Sequence, residues 1–318
     1  MSTYKIRDHK DTRSGYGAGL LEIARENENI VGLCADLTGS LKMNDFAREF
    51  PERFFQAGIA EANMMGVAAG LATAGKIPFA STFANFGSGR VYDQIRQSIA
   101  YSNKNVKICV SHAGLTLGED GATHQMLEDL GMMKMLPGMT VINPCDYTQT
   151  YQATKAIAKY NGPVYLRFGR PKMPVFMPEN FPFKIGEAIR LSQGNDVSII
   201  ATGHLVWPAL EAKELLKEKG IEAEVINIHT IKPLDEKAIL ASVKKTACVV
   251  TAEEHMLNGG LGDSVAQSLA RNMPAPLEMI GVDDSFGESG KPQELMEKYG
   301  LSKSNIVDAA LKVLQRKT

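Results

Sequence analysis

No stretch of this chain is long and apolar enough to span a bilayer, and its N-terminus, Met-Ser-Thr-Tyr-Lys-Ile-Arg-Asp, lacks the apolar core of a secretory leader. Neither sign of charge prevails: 35 Lys and Arg stand against 36 Asp and Glu, a formal net charge of −1. A global field that would draw in nucleic acid or an anionic membrane is therefore missing, and an anionic ligand must be gripped by local Arg, Lys or His. Cysteine is scarce. Cys34, Cys109, Cys145 and Cys248 are far apart and have no metal-ligand spacing. Three of them sit in or beside apolar, strand-like runs, which reads as buried thiols of a reducing cytosol. Short repeats and low-complexity tracts are absent too. What remains is an ordinary globular composition, 44% hydrophobic and 22% charged, in 318 residues, enough for about two domains. The expectation is a cytoplasmic protein with no nucleic-acid or membrane partner and no metal ligands of its own.

Apolar strand-like runs alternate with amphipathic helical patterns, which predicts an α/β fold of two doubly wound domains with mainly parallel sheets, the second domain smaller. In the first half the spacing predicts strands over 30–34, 77–80, 106–111, 139–143 and 163–167, and helices over 12–26, 60–74, 89–101 and 146–160. The last helix opens on Asp146 and Gln149 at capping-box spacing. Residues 171–184 then carry four prolines, a density that neither helix nor sheet interior tolerates. This reads as an extended linker over 171–188 between a domain at 1–170 and another at 189–318. In the second half the same rhythm restarts: strands over 197–201, 223–227, 248–251 and 277–281, helices over 207–219, 235–245 and 262–271.

The candidate chemistry centres on Glu61, in Gly58-Ile-Ala-Glu-Ala-Asn63. On helical spacing Ala57, Glu61, Met64, Met65, Ala68 and Ala72 share one apolar face, and the small residues suggest a tightly packed, buried helix. A carboxyl buried there needs a partner. Two readings stay open: a carboxyl that bonds a ring nitrogen of a bound heterocycle, or a glutamate turned to water. Phe83 and Phe86, three apart in a loop-like run, form either a wall for a flat ring or core packing. His112, Asp120 and His124 follow the strand over 106–111, at the end of a parallel strand where ligands sit. Turn residues bonding their own backbone are the plain alternative. Arg13, Ser40, Arg167 and Arg170 could grip a phosphate, or serve as surface ion-pair residues. Gly259-Gly-Leu-Gly262 resembles an anion-binding turn, but it has neither dinucleotide nor P-loop spacing and reads as close packing or a helix start. Glu253, Glu254 and His255 read as a polar domain interface.

Taken together, Ala35-Asp-Leu-Thr-Gly-Ser40, Gly58-Ile-Ala-Glu-Ala-Asn63, Ser81-Thr-Phe83, Gly118-Glu-Asp-Gly-Ala-Thr-His-Gln125 and Ser289-Gly-Lys-Pro292 resemble transketolase over nearly the whole chain. The resemblance covers the pyrimidine-binding and C-terminal domains. The family's Gly-Asp-Gly motif, which holds diphosphate through Mg²⁺, does not occur, and Gly262-Asp263-Ser264 breaks its pattern. The resemblance therefore implies the C-terminal subunit of a split transketolase. A separate N-terminal subunit would supply the diphosphate domain with its Mg²⁺, in an α2β2 heterotetramer. It implies thiamine diphosphate as cofactor and transfer of a two-carbon ketol unit between ketose and aldose phosphates, as in the pentose phosphate pathway. In that frame Glu61 pairs with the aminopyrimidine, Phe83 and Phe86 pack on it, and Leu37 touches the cofactor. Arg13, Ser40 and Arg170 grip phosphate, while His112, Asp120 and His124 surround the sugar, His112 and His124 also as catalytic groups. The related families weighed beside it are 1-deoxyxylulose-5-phosphate synthase and the 2-oxo acid dehydrogenase E1 β-subunit. A non-catalytic scaffold is the reading from another class, and it predicts erosion of these residues.

Overall fold

Strand Ile30–Cys34 is buried at every position, as are Lys107–Ser111, Val197–Ala201 and Ala223–Asn227. Such runs belong to sheets covered on both faces. The computed structural model describes residues 4–317; residues 1–3 and 318, the outer ends of the two expected domains, lie outside the described residues. Seven strands form the first sheet, in the spatial order Thr230–Lys232, Thr140–Ile142, Val164–Arg167, Lys107–Ser111, Ile77–Phe83, Ile30–Cys34 and Phe54–Gln56. All neighbours are parallel except the first pair. The second sheet has five strands, Leu277–Val282, Val249–Met256, Val197–Ala201, Ala223–Asn227 and Ile189–Arg190, parallel but for the last. The fold is α/β with mainly parallel sheets, as the alternation predicts.

Two features at the join between the halves go beyond the linker and the polar interface that the sequence suggests. Thr230–Lys232 comes from the second half yet completes the edge of the first sheet, and Ile231 is buried there. One apolar cluster consequently runs from Met64, Val91 and Tyr165 to Ile228, Ile231 and Leu261. Within the Pro-rich segment, Lys172–Val175 pairs antiparallel with Asp8–Asp11, so this part is a strand of a two-stranded ribbon. Pro174 is tolerated because a ribbon has outer edges that need no N–H. Asp146 anchors the chain just beyond this strand. One carboxylate oxygen accepts from the Gln149 N–H and caps helix Tyr147–Lys159; the other accepts from the Phe176 and Met177 N–H groups. Gln149 turns its amide oxygen to the Cys145 N–H instead of closing the reciprocal bond to Asp146.

Helix Glu61–Thr73 departs from the expected tight packing. Its inner face, Glu61, Met64, Met65, Ala68 and Ala69, is buried, but Gly66 and Gly70 face open space and Val67 is exposed. The predicted helix over 89–101 is a 3-10 turn at Gly89–Val91, one α turn at Tyr92–Gln94 and a π segment at Ile95–Tyr101. Among the described residues no helix is long and apolar enough to cross a membrane.

Candidate active site

Three carboxyl-terminal strand ends in the first sheet converge on the site. After strand Phe54–Gln56, Gly58 takes φ +68 and turns the chain so that Glu61 becomes the first helical residue. That left-handed step is open to glycine at little cost. The carboxylate then stands at the helix N-terminus, where the macrodipole favours negative charge. Glu61 is 3% exposed, and one oxygen accepts a 2.9 Å hydrogen bond from Arg90 Nη1. The buried face read from the helical pattern is therefore present, and the partner that a buried carboxylate requires is an arginine 29 residues on.

Phe83 is the last residue of strand Ile77–Phe83, not a loop residue as its polar neighbours suggest. Its ring stacks with two others: His112 at 3.7 Å between centroids and Phe86 at 6.0 Å. Phe86 meets His124 edge-on at 5.3 Å and carries the Arg90 guanidinium 4.0 Å above its centroid. Glu61, Arg90, Phe86, Phe83, His112 and His124 thus form one continuous array. A planar N–H donor already lies against the Phe86 ring with its hydrogen bond directed to Glu61. A flat nitrogen heterocycle requires the same two contacts, so these residues fit an aminopyrimidine.

His112 follows strand Lys107–Ser111 with φ +58, a left-handed conformation in which His is among the better tolerated residues. The ring is buried, and Nδ1 lies 2.6 Å from the Ser111 hydroxyl. Burial lowers its pKa to about 3, helped by the positive charges of Arg13 and Arg170. His112 is therefore neutral near pH 7. Where the Ser111 hydroxyl donates to Nδ1, the ring proton sits on Nε2.

The two arginines lie side by side. Arg13, near the start of helix Thr12–Glu26, donates to the Ser40 carbonyl at 3.0 Å and to the Arg170 carbonyl at 3.1 Å. Burial lowers its pKa against the opposing pull of Asp11. Arg170 donates to the Leu117 carbonyl at 2.6 Å and to Glu119 at 2.9 Å. Arg13, Ser40 and Arg170 are brought together, with His112 within reach of both charges. Asp120 is exposed in the turn between Gly118 and Gly121. Leu37 is half-buried, packed on the cluster that holds Tyr16 and Cys34.

Other candidates take structural places. Arg167 is buried on the Asp129 carboxylate at 2.9 Å and also donates to the Glu254 carbonyl at 2.9 Å, which removes it from any phosphate grip. Glu253 accepts from the Leu261 and Gly262 N–H groups at 2.7 Å, so the glycine turn is filled by the chain's own carboxylate. Glu254 accepts from the Thr116 N–H and pairs with His204 Nδ1 at 3.1 Å. Burial pushes its pKa up, but His204, Arg167 and the Thr116 N–H outweigh this and hold it below the usual range. The polar stretch 253–255 is thus a contact between the halves, as its composition suggests. All four cysteines are free and buried.

Residues 8–175 match the family pattern described as the transketolase pyrimidine-binding domain, and residues 186–306 match the transketolase C-terminal domain. The chain is 48% identical over 311 residues to a putative transketolase C-terminal section of Methanocaldococcus jannaschii, covering 97% of this chain and 98% of that one. It is 46% identical over 313 residues to the 6-deoxy-6-sulfo-D-fructose transketolase subunit of a Clostridium species, covering 98% and 97%. Among solved structures, a split-gene transketolase described as an inactive beta4 tetramer superposes with a TM-score of 0.92 at 48% identity, covering 97% of this chain and 99% of that one.

Proposed function

This chain belongs to the transketolase family, and we propose that it is the half of a split, thiamine-diphosphate-dependent transketolase that moves a two-carbon ketol unit between ketose and aldose phosphates. The observation that carries this reading is the array from Glu61 and Arg90 across Phe86 and Phe83 to His112. Glu61 would hold a ring nitrogen of the aminopyrimidine, with Phe83 and Phe86 as the wall it packs on and Leu37 at its margin. The bound cofactor supplies the electron sink that lets a ketose C2–C3 bond break. The protein's own work is binding, orientation and proton handling. Neutral His112 would donate from Nε2 to a sugar oxygen, and His124, beside Phe86, would bond a second hydroxyl. Asp120 would reach the sugar from the exposed turn. Arg13, Arg170 and Ser40 would take the phosphate, with Arg170 exchanging Glu119 for it.

The charged end of the cofactor has no holder in these 318 residues, which contain no Gly-Asp-Gly. We assign that role, and Mg²⁺, to a partner chain in an α2β2 assembly. Relatives of nearly the same length that bear the names section and subunit support this. So does the open outer face of helix Glu61–Thr73, where Val67 is exposed and Gly66 and Gly70 meet open space, with exposed Ile59 just before the helix. The test is to mix this chain with its diphosphate-domain partner and follow ketol transfer. Glu61→Ala is expected to lower kcat by at least about 100-fold while leaving the melting temperature near that of the parent. Activity within a few-fold of the parent would overturn the reading of Glu61. Tight, Mg²⁺-dependent binding of thiamine diphosphate to this chain alone, measured by calorimetry, would overturn the need for a partner.

A further inference from the structure

We propose that the second domain reaches into the substrate mouth through the loop over 283–291, and that Lys291 stands there as a third cation for the sugar's terminal phosphate. This rests on the functional reading above and extends it to a domain to which that reading gives no part in catalysis. The loop leaves strand Leu277–Val282 and ends at helix Pro292–Lys298. It lies directly on the loop that carries His112, Asp120 and His124. Gln125 Nε2 donates to the Glu288 carbonyl at 2.9 Å, and a Cβ placed on Gly121 would stand 2.5 Å from Ser289 Oγ.

The decisive position is Gly118. With φ +94 it suits glycine, and a Cβ there would meet Arg170 Nη1 and the Pro292 ring at 3.3 Å each. Arg170 and Pro292 therefore approach one residue together, and Lys291 immediately precedes that proline. Lys291 is exposed, with Glu294 in the first turn of that helix as its ion-pair partner at 3.4 Å. Its charge also reaches Glu119, the carboxylate paired with Arg170; that carboxylate's pKa is held down by hydrogen bonds from its own backbone N–H and from Arg170, then by both positive charges. Glu119 is thus paired with Arg170 and feels the charge of Lys291 from the other domain, and a phosphate would compete with it for Arg170. The loop is braced from behind: Tyr299 donates to the Phe286 carbonyl at 2.9 Å, and Lys298 pairs with Glu288.

The experiment uses the assembly of this chain with its diphosphate-domain partner and compares a phosphorylated aldose acceptor with the same aldose unphosphorylated. Lys291→Ala is expected to raise KM for the phosphorylated acceptor about threefold and Lys291→Glu about tenfold, in KM more than in kcat, with the effect shrinking as salt is added. Inhibition by inorganic phosphate should weaken in step. Arg170→Ala serves as the reference for the anion end. If Arg170→Ala raises KM for the phosphorylated acceptor and Lys291→Glu leaves it within twofold, the loop has no part in the mouth and the proposal fails. If both leave it unchanged, the placement of the phosphate end falls with it.

Discussion

Asp129→Asn removes one charge from a buried pair and leaves its shape nearly intact. Asp129 is fully buried and Arg167 is 3% exposed. The carboxylate accepts from Arg167 Nε through both oxygens, at 2.9 and 3.1 Å, and from the Tyr165 hydroxyl at 2.9 Å. Burial acts to lower the Arg167 pKa, yet Asp129 and Glu254 raise it above the ordinary value. The guanidinium cannot shed its proton. In the variant it would remain a buried cation, with an amide nitrogen competing for the position of one acceptor oxygen. Breaking such a pair from one side destabilises by about 3–5 kcal/mol, against a total stability of about 5–15 kcal/mol. The melting temperature should fall on the order of 10 °C. Arg167 also bonds the Glu254 carbonyl across the two halves, so the loss should loosen their docking along with the first sheet. Thermal and urea denaturation measure the effect. Replacing both partners, Asp129→Leu with Arg167→Met, removes both buried charges and should recover at least half of it. A melting temperature for Asp129→Asn within about 2 °C of the parent would refute the reasoning.

His112 should stay neutral in NMR titrations down to about pH 3, and Arg13→Met should raise its pKa by removing one neighbouring charge. Since the folded value lies below the ordinary 6.5, its stabilising contribution is present above pH 6.5 and is lost as pH falls toward 3; a titration midpoint above 6 would contradict this. Asp146→Ala strands three N–H groups, those of Gln149, Phe176 and Met177. A loss of about 2–5 kcal/mol in urea denaturation is expected, and a loss below 1 would show that water or a rearranged chain replaces the carboxylate.

The strands that carry the sheets were legible because both of their faces are covered. Residues 30–34 and 197–201 are unbroken apolar or small-polar runs, 223–227 is apolar but for Glu224 and Asn227, and the structure gives all three the same bounds. The short edge strands Phe54–Gln56, Thr230–Lys232 and Ile189–Arg190 were not, since each is defined by its neighbour's open hydrogen bonds and is too short to show an alternation of its own. At the site, the apolar face around Glu61 left a buried carboxylate and one turned to water both open, and the structure buries it; the motifs named the family. Arg90 left no mark in the sequence. Its place depends on the turn after Phe83 folding back over helix Glu61–Thr73, which spacing cannot express. The same holds for the stack of Phe83 on His112, residues from adjacent strand ends that meet only through the parallel pairing of Ile77–Phe83 with Lys107–Ser111.

The strand lent by the second half has a bearing on biogenesis. While the chain is being made, Thr140–Ile142 emerges long before Thr230–Lys232, and at about 5–20 residues per second the ribosome takes several seconds to deliver its missing neighbour. For that interval the nascent first sheet shows a bare margin able to pair with other polypeptides. A gene cut at the proline-rich segment would make that exposure permanent, so expression of the first half alone invites precipitation even though Glu61, Phe83, Phe86, Arg90 and His112 are all encoded within it.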